Sequence, residues 1–317
     1  MSVAEQATMQ AVVIDGFGAV GALRTESVRV PVPGEGEVLV RVHAVGVNAI
    51  DWATRAGEGV GVSAFPAILG WDVSGTVAAT GPGAQRFRVG DEVFGMPRFP
   101  ALAGGYAEYV VAPEADLARK PDEVTHVDAA AVPMAALTAW QSLFEHGDLR
   151  SGQRVLVSGA AGGVGHLAVQ LAVAAGAEVI GTASPGNFDF VRGLGASDVV
   201  DYRGTLPESV KDVDVAIDPR GGGDFHRLLD VLRPGGIVVT LKGEADGQRR
   251  SAEERGRRAG FTYVHPDAAA LGRIAPLLAD LRVRPAVQQV FRLDRVAQAH
   301  ALGERGHVRG RLVLDLA

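Results

Sequence analysis

A glycine-rich turn between an apolar run and an amphipathic segment is the first feature that could carry chemistry. Residues 155–158 are apolar enough to form a buried strand, and the turn at 159–165 follows directly. An apolar stripe at helical spacing comes next, formed by Val164, Leu167, Ala168, Leu171 and Ala175. A strand, a glycine turn and a helix in this order are the context of a dinucleotide-binding fingerprint, because the N–H groups of the first helical turn can bind a pyrophosphate.

Small residues occupy the three positions where that fingerprint needs them, at Ala160, Gly162 and Gly165. We therefore predict that the pyrophosphate of a dinucleotide contacts the turn along its length. The residues expected to bind it are Ala161, Gly162, Gly163, Val164 and Gly165. The alternative is an ordinary β–α–β unit whose tight turn binds nothing.

The next predicted strand, at 178–182, bears on which dinucleotide is bound. In NAD-binding sites an acidic residue about 20 residues after the glycines bonds the ribose 2′-hydroxyl. Here the strand ends in Ala183 and Ser184, with no acid. A carboxylate at this place would repel a 2′-phosphate, whereas Ser184 accommodates one, so the sequence favours NADP(H).

Composition excludes several classes of protein. The chain has 317 residues, 47% of them hydrophobic, which suits two domains. A net charge of −6 without a long basic run argues against nucleic-acid binding. The absence of cysteine excludes disulfides, thiolate metal sites and a cysteine nucleophile. Because there is no signal-peptide pattern and no run of about 18 apolar residues, we expect a cytoplasmic protein without a membrane span.

Two different patterns divide the chain. Residues 10–120 carry short valine-rich strands between Gly/Pro turns, which is typical of a barrel-like β domain. Helices follow, and strands then alternate with helices up to a sixth strand predicted at 261–264. Such alternation predicts a parallel, doubly wound sheet. Strands expected at 287–291 and 310–316 most simply rejoin the first domain.

Several ordered segments carry a family resemblance. Residues 45–51 look like the Asn-Pro-x-Asp segment of quinone reductases, and residues 69–81 are similar to a Gly-His-Glu-x-x-Gly-x-Val-x-x-x-Gly signature. Further matches are 214–218 with Gly221 and Gly222, 233–236, Ala299 with His300, and 309–314. Over nearly its whole length the chain therefore resembles the medium-chain dehydrogenase/reductase superfamily. The resemblance implies an α/β fold, with a Rossmann doubly wound parallel sheet at 126–282 and a GroES-like β-barrel catalytic domain at 1–125 and 283–317.

The departures from the family pattern concern zinc. In the zinc alcohol dehydrogenases of this superfamily, a cysteine and a histidine of these segments hold the catalytic metal. Asn48 stands at the cysteine position and Trp71 at the histidine position, and neither side chain is a good zinc ligand. The eight histidines are scattered, so no metal site is expected. The chain thus resembles the zinc-free quinone oxidoreductase-like branch, whose members reduce quinones or activated C=C bonds with NADPH.

Asn48 is the first candidate for the catalytic face, since the resemblance implies that it lies beside the nicotinamide and the substrate. Its amide could donate to a substrate oxygen that gains charge, and the alternative is a turn asparagine bonded to local backbone. Asp51 is the second candidate, with a buried helix cap or a pair with Arg55 as its alternative roles. Ala53 stands where some relatives have a tyrosine, so no proton donor is evident.

The resemblance implies further contacts to cofactor and substrate. Thr138 matches a Gly-Leu-Thr-Ala motif at the nicotinamide ribose, although a helical threonine can instead bond back to its own turn. The other residues expected at the cofactor are Ser184, Asn187 and Tyr202 around the 2′-phosphate, with Arg192 as a further cation, then Asp218, Leu241 and Arg311. For Arg311, pairing with an acid is the alternative. Trp52 and Trp71 are expected either to line the substrate pocket or to pack in the core.

Three functions remain open. The first is an NADPH-dependent, zinc-independent reductase of quinones or enones. The second is a nucleotide-binding protein without redox turnover on the same fold, suggested by Ala53. The third is a pathway-specific enzyme such as a tailoring enoyl reductase of secondary metabolism. A small-molecule substrate is the expected partner, with neither a nucleic acid nor a membrane, and the resemblance implies a homodimer.

Overall fold

The computed structural model describes residues 7–219, 224–243 and 247–316, which fall into two compact units. The first unit takes the chain up to Met134, the segment His265–Leu281 and the chain from Pro285 onward. The second takes Ala135–Val264 and Arg282–Arg284. Residues 126–134 and 265–281, predicted to be part of the nucleotide-binding domain, group with the first unit.

Two sheets form the first unit. The smaller consists of β1 (Thr8–Ile14), β2 (Arg24–Arg29) and β4 (Ala67–Ile68), antiparallel in the order β2-β1-β4. The larger consists of β3 (Glu37–Val47), β5 (Asp72–Thr80), β6 (Glu92–Gly95), β7 (Tyr109–Pro113), β8 (Leu117–Arg119), β15 (Val287–Arg292) and β16 (Arg311–Asp315). Its order is β15-β16-β3-β5-β6-β8, with β7 paired to β3. All of its pairs are antiparallel except β15 with β16.

The long strand β3 is central to the larger sheet, since it pairs with β5, β7 and β16. Its valines Val40, Val42 and Val45 are buried in the main core of the unit. Because the C-terminal strand β16 pairs directly with β3, the tail of the chain completes this sheet, as the strand-like pattern of the tail predicts.

Four helices belong to the described part of the first unit: α1 (Ala49–Ala56), α2 (His126–Ala130), α8 (Ala268–Ala279) and α9 (Val296–Glu304). α1 follows β3 at once, begins at its N-cap Asn48 and ends at Gly57, whose φ of 88° suits glycine. α8 was not predicted. Its alanine-rich stretch is capped by Asp267, whose carboxylate accepts the N–H groups of Ala269 and Ala270.

A parallel sheet forms the centre of the second unit, which is entered through α3 (Pro133–Trp140) and a π-helical turn (Gln141–His146). The strands are β9 (Arg154–Val157), β10 (Glu178–Ala183), β11 (Asp198–Asp201), β12 (Val213–Asp218), β13 (Leu232–Thr240) and β14 (Arg258–Phe261). The helices are α4 (Gly165–Ala174), α5 (Phe188–Gly193), α6 (Asp224–Val231) and α7 (Gln248–Glu254).

The strand order β11-β10-β9-β12-β13-β14 is the 3-2-1-4-5-6 order of the doubly wound fold. Apolar side chains on four of these strands, Leu156, Ile180, Ala216 and Val238, pack with Phe225 of α6 in one core. The predicted α/β fold is therefore confirmed. In such sheets ligands bind at the carboxyl ends of the strands where the order reverses, which here lies between β9 and β12.

The sixth strand of this sheet differs from its prediction. It lies at Arg258–Phe261 rather than at 261–264. Parallel pairing sets its register, with Ile237 opposite Arg258 and Thr240 opposite Phe261. The matched residues Gly221 and Gly222 lie outside the described residues. No helix within the described ranges is long and apolar enough to span a bilayer.

Candidate functional site

The glycine turn of the second unit joins the end of β9 to the start of α4. Gly159 has a φ of 63°, which favours glycine, and its N–H donates to Thr182 Oγ1 at 3.1 Å. A Cβ at Gly165 would lie only 2.3 Å from the carbonyl oxygen of Gly159. A glycine is therefore needed for α4 to approach the strand this closely, which is the packing role of the third small residue in the fingerprint.

This turn fits a dinucleotide pyrophosphate. The predicted contacts Ala161, Gly162, Gly163, Val164 and Gly165 form one continuous stretch at the carboxyl end of β9. The first-turn N–H groups of a helix and the positive end of its dipole favour an anion there. His166 is fully buried with Nδ1 2.9 Å from the Gly162 carbonyl, so its ring packs inside the helix–turn junction.

The residues predicted around the 2′-phosphate meet at the carboxyl ends of β10 and β11. Asn187 Nδ2 donates to Ser184 Oγ at 3.1 Å, and the N–H of Tyr202 donates to the carbonyl of Ala183 at 3.4 Å. Because Ser184 Oγ accepts from Asn187, its own O–H can still be donated to a phosphate oxygen. The structure thus brings the three predicted residues to one edge of the sheet, and their contact with a phosphate stays a prediction.

Two arginines, Arg192 and Arg203, are close in sequence to these predicted phosphate contacts. Arg192, suggested as a further cation, pairs with Asp189 of its own helix at 3.5 Å. Arg203, directly after Tyr202, was not among the predicted residues. Its guanidinium lies 2.6 Å from the Asp201 carboxylate, and this hydrogen bond lowers the pKa of Asp201.

Three further residues predicted at the cofactor lie in the second unit: Thr138, Asp218 and Leu241. Asp218 is the buried last residue of β12, and Leu241, directly after β13, donates its N–H to the Asp218 carbonyl at 3.0 Å. Thr138 is buried in α3, where its carbonyl accepts the Ser142 hydroxyl at 2.7 Å. The structure brings Asp218 and Leu241 together, and the contacts of all three with a cofactor stay predictions.

In the first unit, Asn48 and Asp51 form the N-terminal cap of α1. The Asp51 carboxylate turns back and accepts the backbone N–H of Asn48 at 2.6 Å. Asp51 is fully buried, and this burial raises its pKa to about 7. The suggested pair with Arg55 is wrong. Because the carboxylate is turned toward the start of the helix, Arg55 instead forms an ion pair with Glu304 of α9.

A second fully buried carboxylate, Asp72, lies beside Asn48. Its Oδ2 accepts from Asn48 Nδ2 and from Arg311 Nη2, each at 2.9 Å, and its Oδ1 accepts the N–H of Met134 at 2.7 Å. Burial raises the pKa of Asp72 to about 6, and the Arg311 guanidinium opposes this shift. Arg311 also donates to the Ala131 carbonyl at 3.0 Å. Arg311 therefore has the acidic partner that was its alternative role, and its contact with a cofactor stays a prediction.

A third buried group connects α1 with α9. Arg55 Nη1 lies 3.3 Å from His300 Nδ1, and His300 Nε2 lies 3.0 Å from the Tyr106 hydroxyl. Since arginine only donates, Nδ1 accepts and Nε2 carries the proton of a neutral ring. Burial, together with the charge of Arg55, lowers the pKa of His300 to about 3. Burial raises the pKa of Tyr106 well above its ordinary value. The sequence had not indicated Tyr106 or Asp72 as site residues, although Asp72 lies in the segment 69–81 that carries the family resemblance.

The two tryptophans predicted in the substrate pocket have different surroundings. Trp71 is fully buried, its indole N–H donates to the Ala101 carbonyl at 2.8 Å, and its ring packs edge-on against Phe99. Trp52 is partly buried, with its ring 6.2 Å from that of His300. Both positions as pocket walls stay predictions. An indole that donates its N–H to a carbonyl does not ligate zinc, and within the described ranges no group of three or more His, Cys, Asp or Glu side chains could hold a metal ion.

Two family models match the chain. The one described as "Alcohol dehydrogenase GroES-like domain" matches residues 34–122. The one described as "Zinc-binding dehydrogenase" matches residues 194–314. The matches lie in the order that the resemblance of the sequence implies, with the GroES-like segment first.

Individual proteins are similar over most of the chain. A mitochondrial NAD(P)H oxidoreductase of Danio rerio is 35% identical over 99% of this chain and 93% of its own length. A 2-methylene-furan-3-one reductase of Solanum lycopersicum is 33% identical over 94% of this chain and 76% of its own length. The structure of the quinone oxidoreductase from Coxiella burnetii is 33% identical, with a TM-score of 0.89 over 98% of this chain and 100% of that one.

Proposed function

Because the chain belongs to the medium-chain dehydrogenase/reductase superfamily, in its zinc-free quinone oxidoreductase-like branch, we propose that it is an NADPH-dependent reductase. Its substrate is a quinone or the activated C=C bond of an enone or enoyl compound. The observation that carries this proposal is Asn48, which stands at a zinc-ligand position of the alcohol dehydrogenases and has its amide bound to Asp72. The similar proteins support it, since they are named as an NAD(P)H oxidoreductase, a 2-methylene-furan-3-one reductase and a quinone oxidoreductase.

A bound nicotinamide cofactor supplies hydride, and the chain supplies the groups that hold the cofactor and polarise the acceptor. The turn at 159–165 binds the pyrophosphate, and the Ser184 hydroxyl donates to the 2′-phosphate. As hydride adds to an electron-poor carbon, negative charge grows on the oxygen of the enone or quinone. Asn48 has two N–H groups, of which one is bound to Asp72, so the other can donate to this oxygen. A water molecule or a side chain other than Ala53 then delivers the proton.

The activity is tested by following NADPH oxidation with a panel of quinones and α,β-unsaturated ketones. We expect turnover with at least one class of acceptor, and a kcat lowered about a hundredfold in Asn48→Ala, the usual effect of removing one donor to a developing oxyanion. NADPH binding is measured in parallel. Tight binding without turnover on any acceptor would refute the proposed reductase.

The choice of NADPH over NADH is tested by titrating both cofactors. Ser184 as a phosphate donor predicts tighter binding of NADPH, and Ser184→Ala should reduce that preference while leaving NADH affinity unchanged. Equal affinity for the two cofactors in the parent protein would reject this role of Ser184.

A second candidate function is a dinucleotide-binding protein without turnover, favoured by Ala53 at the position where some relatives have a tyrosine. It predicts that Asn48→Ala binds NADPH and has no chemistry to lose. A homodimer and a cytoplasmic location are further proposals, and light scattering and fractionation test them. Location needs the test in particular because a similar protein carries a mitochondrial name.

A further inference from the structure

We propose that Asp72 is a positioning residue, whose carboxylate fixes which end of the Asn48 amide is presented to the substrate. This inference rests on the proposed function, because it assigns the orientation of the group that polarises the acceptor. It concerns a side chain that the proposed reaction itself does not use. Three observations in the first unit carry it.

The first observation is the set of donors around Asp72. Its carboxylate is fully buried and receives three hydrogen bonds, from Asn48 Nδ2, Arg311 Nη2 and the N–H of Met134. A primary amide has an N–H₂ end and an oxygen end of nearly the same shape, so packing alone does not distinguish its two orientations.

The chemistry of the partner does distinguish them. An ionised carboxylate only accepts hydrogen bonds, so the N–H₂ end of Asn48 must face Asp72. The flipped amide would set its oxygen against Oδ2, losing a charge-assisted hydrogen bond and placing two acceptors in contact. In the orientation held by Asp72, the Asn48 oxygen is left for the backbone N–H of Asp51 in the capping box of α1, and the second N–H is left for a substrate oxygen.

The second observation is that the carboxylate itself has no freedom to move. Asp72 is paired with Gly46 across β3 and β5. A Cβ at Gly46 would lie 2.3 Å from the Ala130 carbonyl, 3.0 Å from Asp72 Cβ and 3.2 Å from Arg311 Nη2. Arg311 is bonded in turn to the Ala131 carbonyl at 3.0 Å. Strands β3, β5 and β16 and the end of α2 therefore hold the acceptor in place.

The third observation concerns the charges that face Asp72. They are the guanidinium of Arg311, from β16, and the buried carboxyl of Asp51, from α1. Asp72 also raises the pKa of the Tyr106 hydroxyl, and Arg311 lowers it. Arg311 lowers the pKa of Asp72 and so favours its ionised form, and the charge of Asp72 in turn raises the pKa of Asp51. If Asp72 takes up a proton, it can donate as well as accept, so that it no longer selects one orientation of the Asn48 amide.

The orientation is measurable without any cofactor or substrate. Asparagine occurs only at 48 and 187, so labelling asparagine side chains with ¹⁵N gives two N–H₂ signals in the whole protein. Asn187 is the internal reference, because its Nδ2 donates to a neutral hydroxyl, that of Ser184. Asn187→Ala assigns the signals.

For the parent protein at neutral pH, we expect one Asn48 proton to lie downfield of both Asn187 protons and to exchange slowly with solvent. In Asp72→Ser this shift and protection should be lost. If the Asn48 amide of the parent protein already rotates and exchanges as freely as an unbonded amide, the proposal is overturned, whether or not any variant folds.

Kinetics separate positioning from mere support of the fold. Asp72→Asn keeps size but can face Asn48 with either end, and we expect kcat to fall about tenfold or more while the KM for NADPH changes little. Asp72→Glu restores an acceptor-only partner and should recover most of that loss. Unchanged kcat in Asp72→Asn, or equal losses in the two variants, would overturn the role of Asp72. Absence of turnover in the parent protein would instead refute the proposed function and leave the amide measurement standing.

Discussion

Replacing His300 by glutamine should make the first unit less sensitive to acid. In the folded chain His300 is fully buried, accepts from Arg55 at Nδ1 and donates from Nε2 to the Tyr106 hydroxyl. Glutamine can make both contacts, with its oxygen toward Arg55 and its N–H toward Tyr106, but it does not titrate. The variant therefore keeps the hydrogen bonds and removes the protonation of the ring.

The size of the effect follows from the two pKa values of this ring. Burial, with the charge of Arg55, lowers the pKa of His300 from 6.5 to about 3 on folding. A base whose pKa is lowered on folding contributes stability above its unfolded pKa and loses it as pH falls toward the folded value. At pH 5 protonation favours the unfolded chain by about 30-fold, or about 2 kcal/mol in the free energy of unfolding relative to pH 7.5.

Other buried groups do not obscure this difference. Burial raises the pKa of Asp51 and of Asp72, so their stabilising contribution is present at low pH and is lost as pH rises through about 7 and about 6 respectively. This sign is opposite to that of His300. Because both carboxyls are present in the parent protein and in the variant, their effects cancel when the two proteins are compared.

Urea unfolding at about pH 5 and about pH 7.5 measures the effect. A Trp140→Phe background leaves Trp52 and Trp71 as fluorescent reporters, and both lie in the first unit. On acidification the parent protein should lose about 2 kcal/mol more than His300→Gln. His307→Gln, the same substitution at an exposed position, should follow the parent protein. Equal losses in the parent protein and His300→Gln would refute the reasoning that burial keeps this ring neutral.

Three further substitutions test the packing and the cofactor edge. Gly46→Ala places a Cβ 2.3 Å from a backbone carbonyl of α2 and should cost about 2 kcal/mol in thermal unfolding, whereas Gly61→Ala, with nothing within 4 Å, should change stability by less than about 0.5 kcal/mol. Gly165→Ala forces α4 away from the turn and should weaken NADPH binding about tenfold in a fluorescence titration, an effect absent in Gly193→Ala, where the added Cβ meets open space. Ser184→Asp should weaken NADPH binding by about tenfold or more through repulsion of the 2′-phosphate and spare NADH. Unchanged affinity for NADPH in Ser184→Asp would contradict the location of the phosphate.

Much of the fold could be predicted because local pattern reports local side-chain direction. The strands at Glu37–Val47 and Val213–Asp218 lie where alternation and apolar runs indicate them, and the turn at 159–165 leads into a helix as its glycines predict. Two elements of the second half of the chain were not predicted correctly. α8 buries the stripe Leu271, Ile274, Ala275 and Leu278, but Gly272 and Pro276 interrupt it with residues that disfavour a helix. The strand at Arg258–Phe261 takes its bounds from pairing with β13, which no short window contains.

In the candidate site, too, the contacts between sequence neighbours could be predicted and those between distant residues could not. The predicted dinucleotide contacts are neighbours in sequence, so the pattern that identifies them also places them on one turn. Asp72 is different, because its partners Asn48 and Arg311 are 24 and 239 residues away in the chain. Likewise, Arg55 has its ion-pair partner on α9 rather than four residues back on its own helix.

The sequence by itself determined most of the elements and their order, and that Asn48 and Trp71 replace the zinc ligands of the family. Only the tertiary structure decided that Asp51, Asp72 and His300 are buried, which partners they have and in which direction their pKa values move. The physical reason is that a side-chain carboxyl or imidazole has its ordinary pKa in water. The loss of water and the approach of distant charges, which are produced by pairing β3 with β5 and β16, exist only in the folded chain.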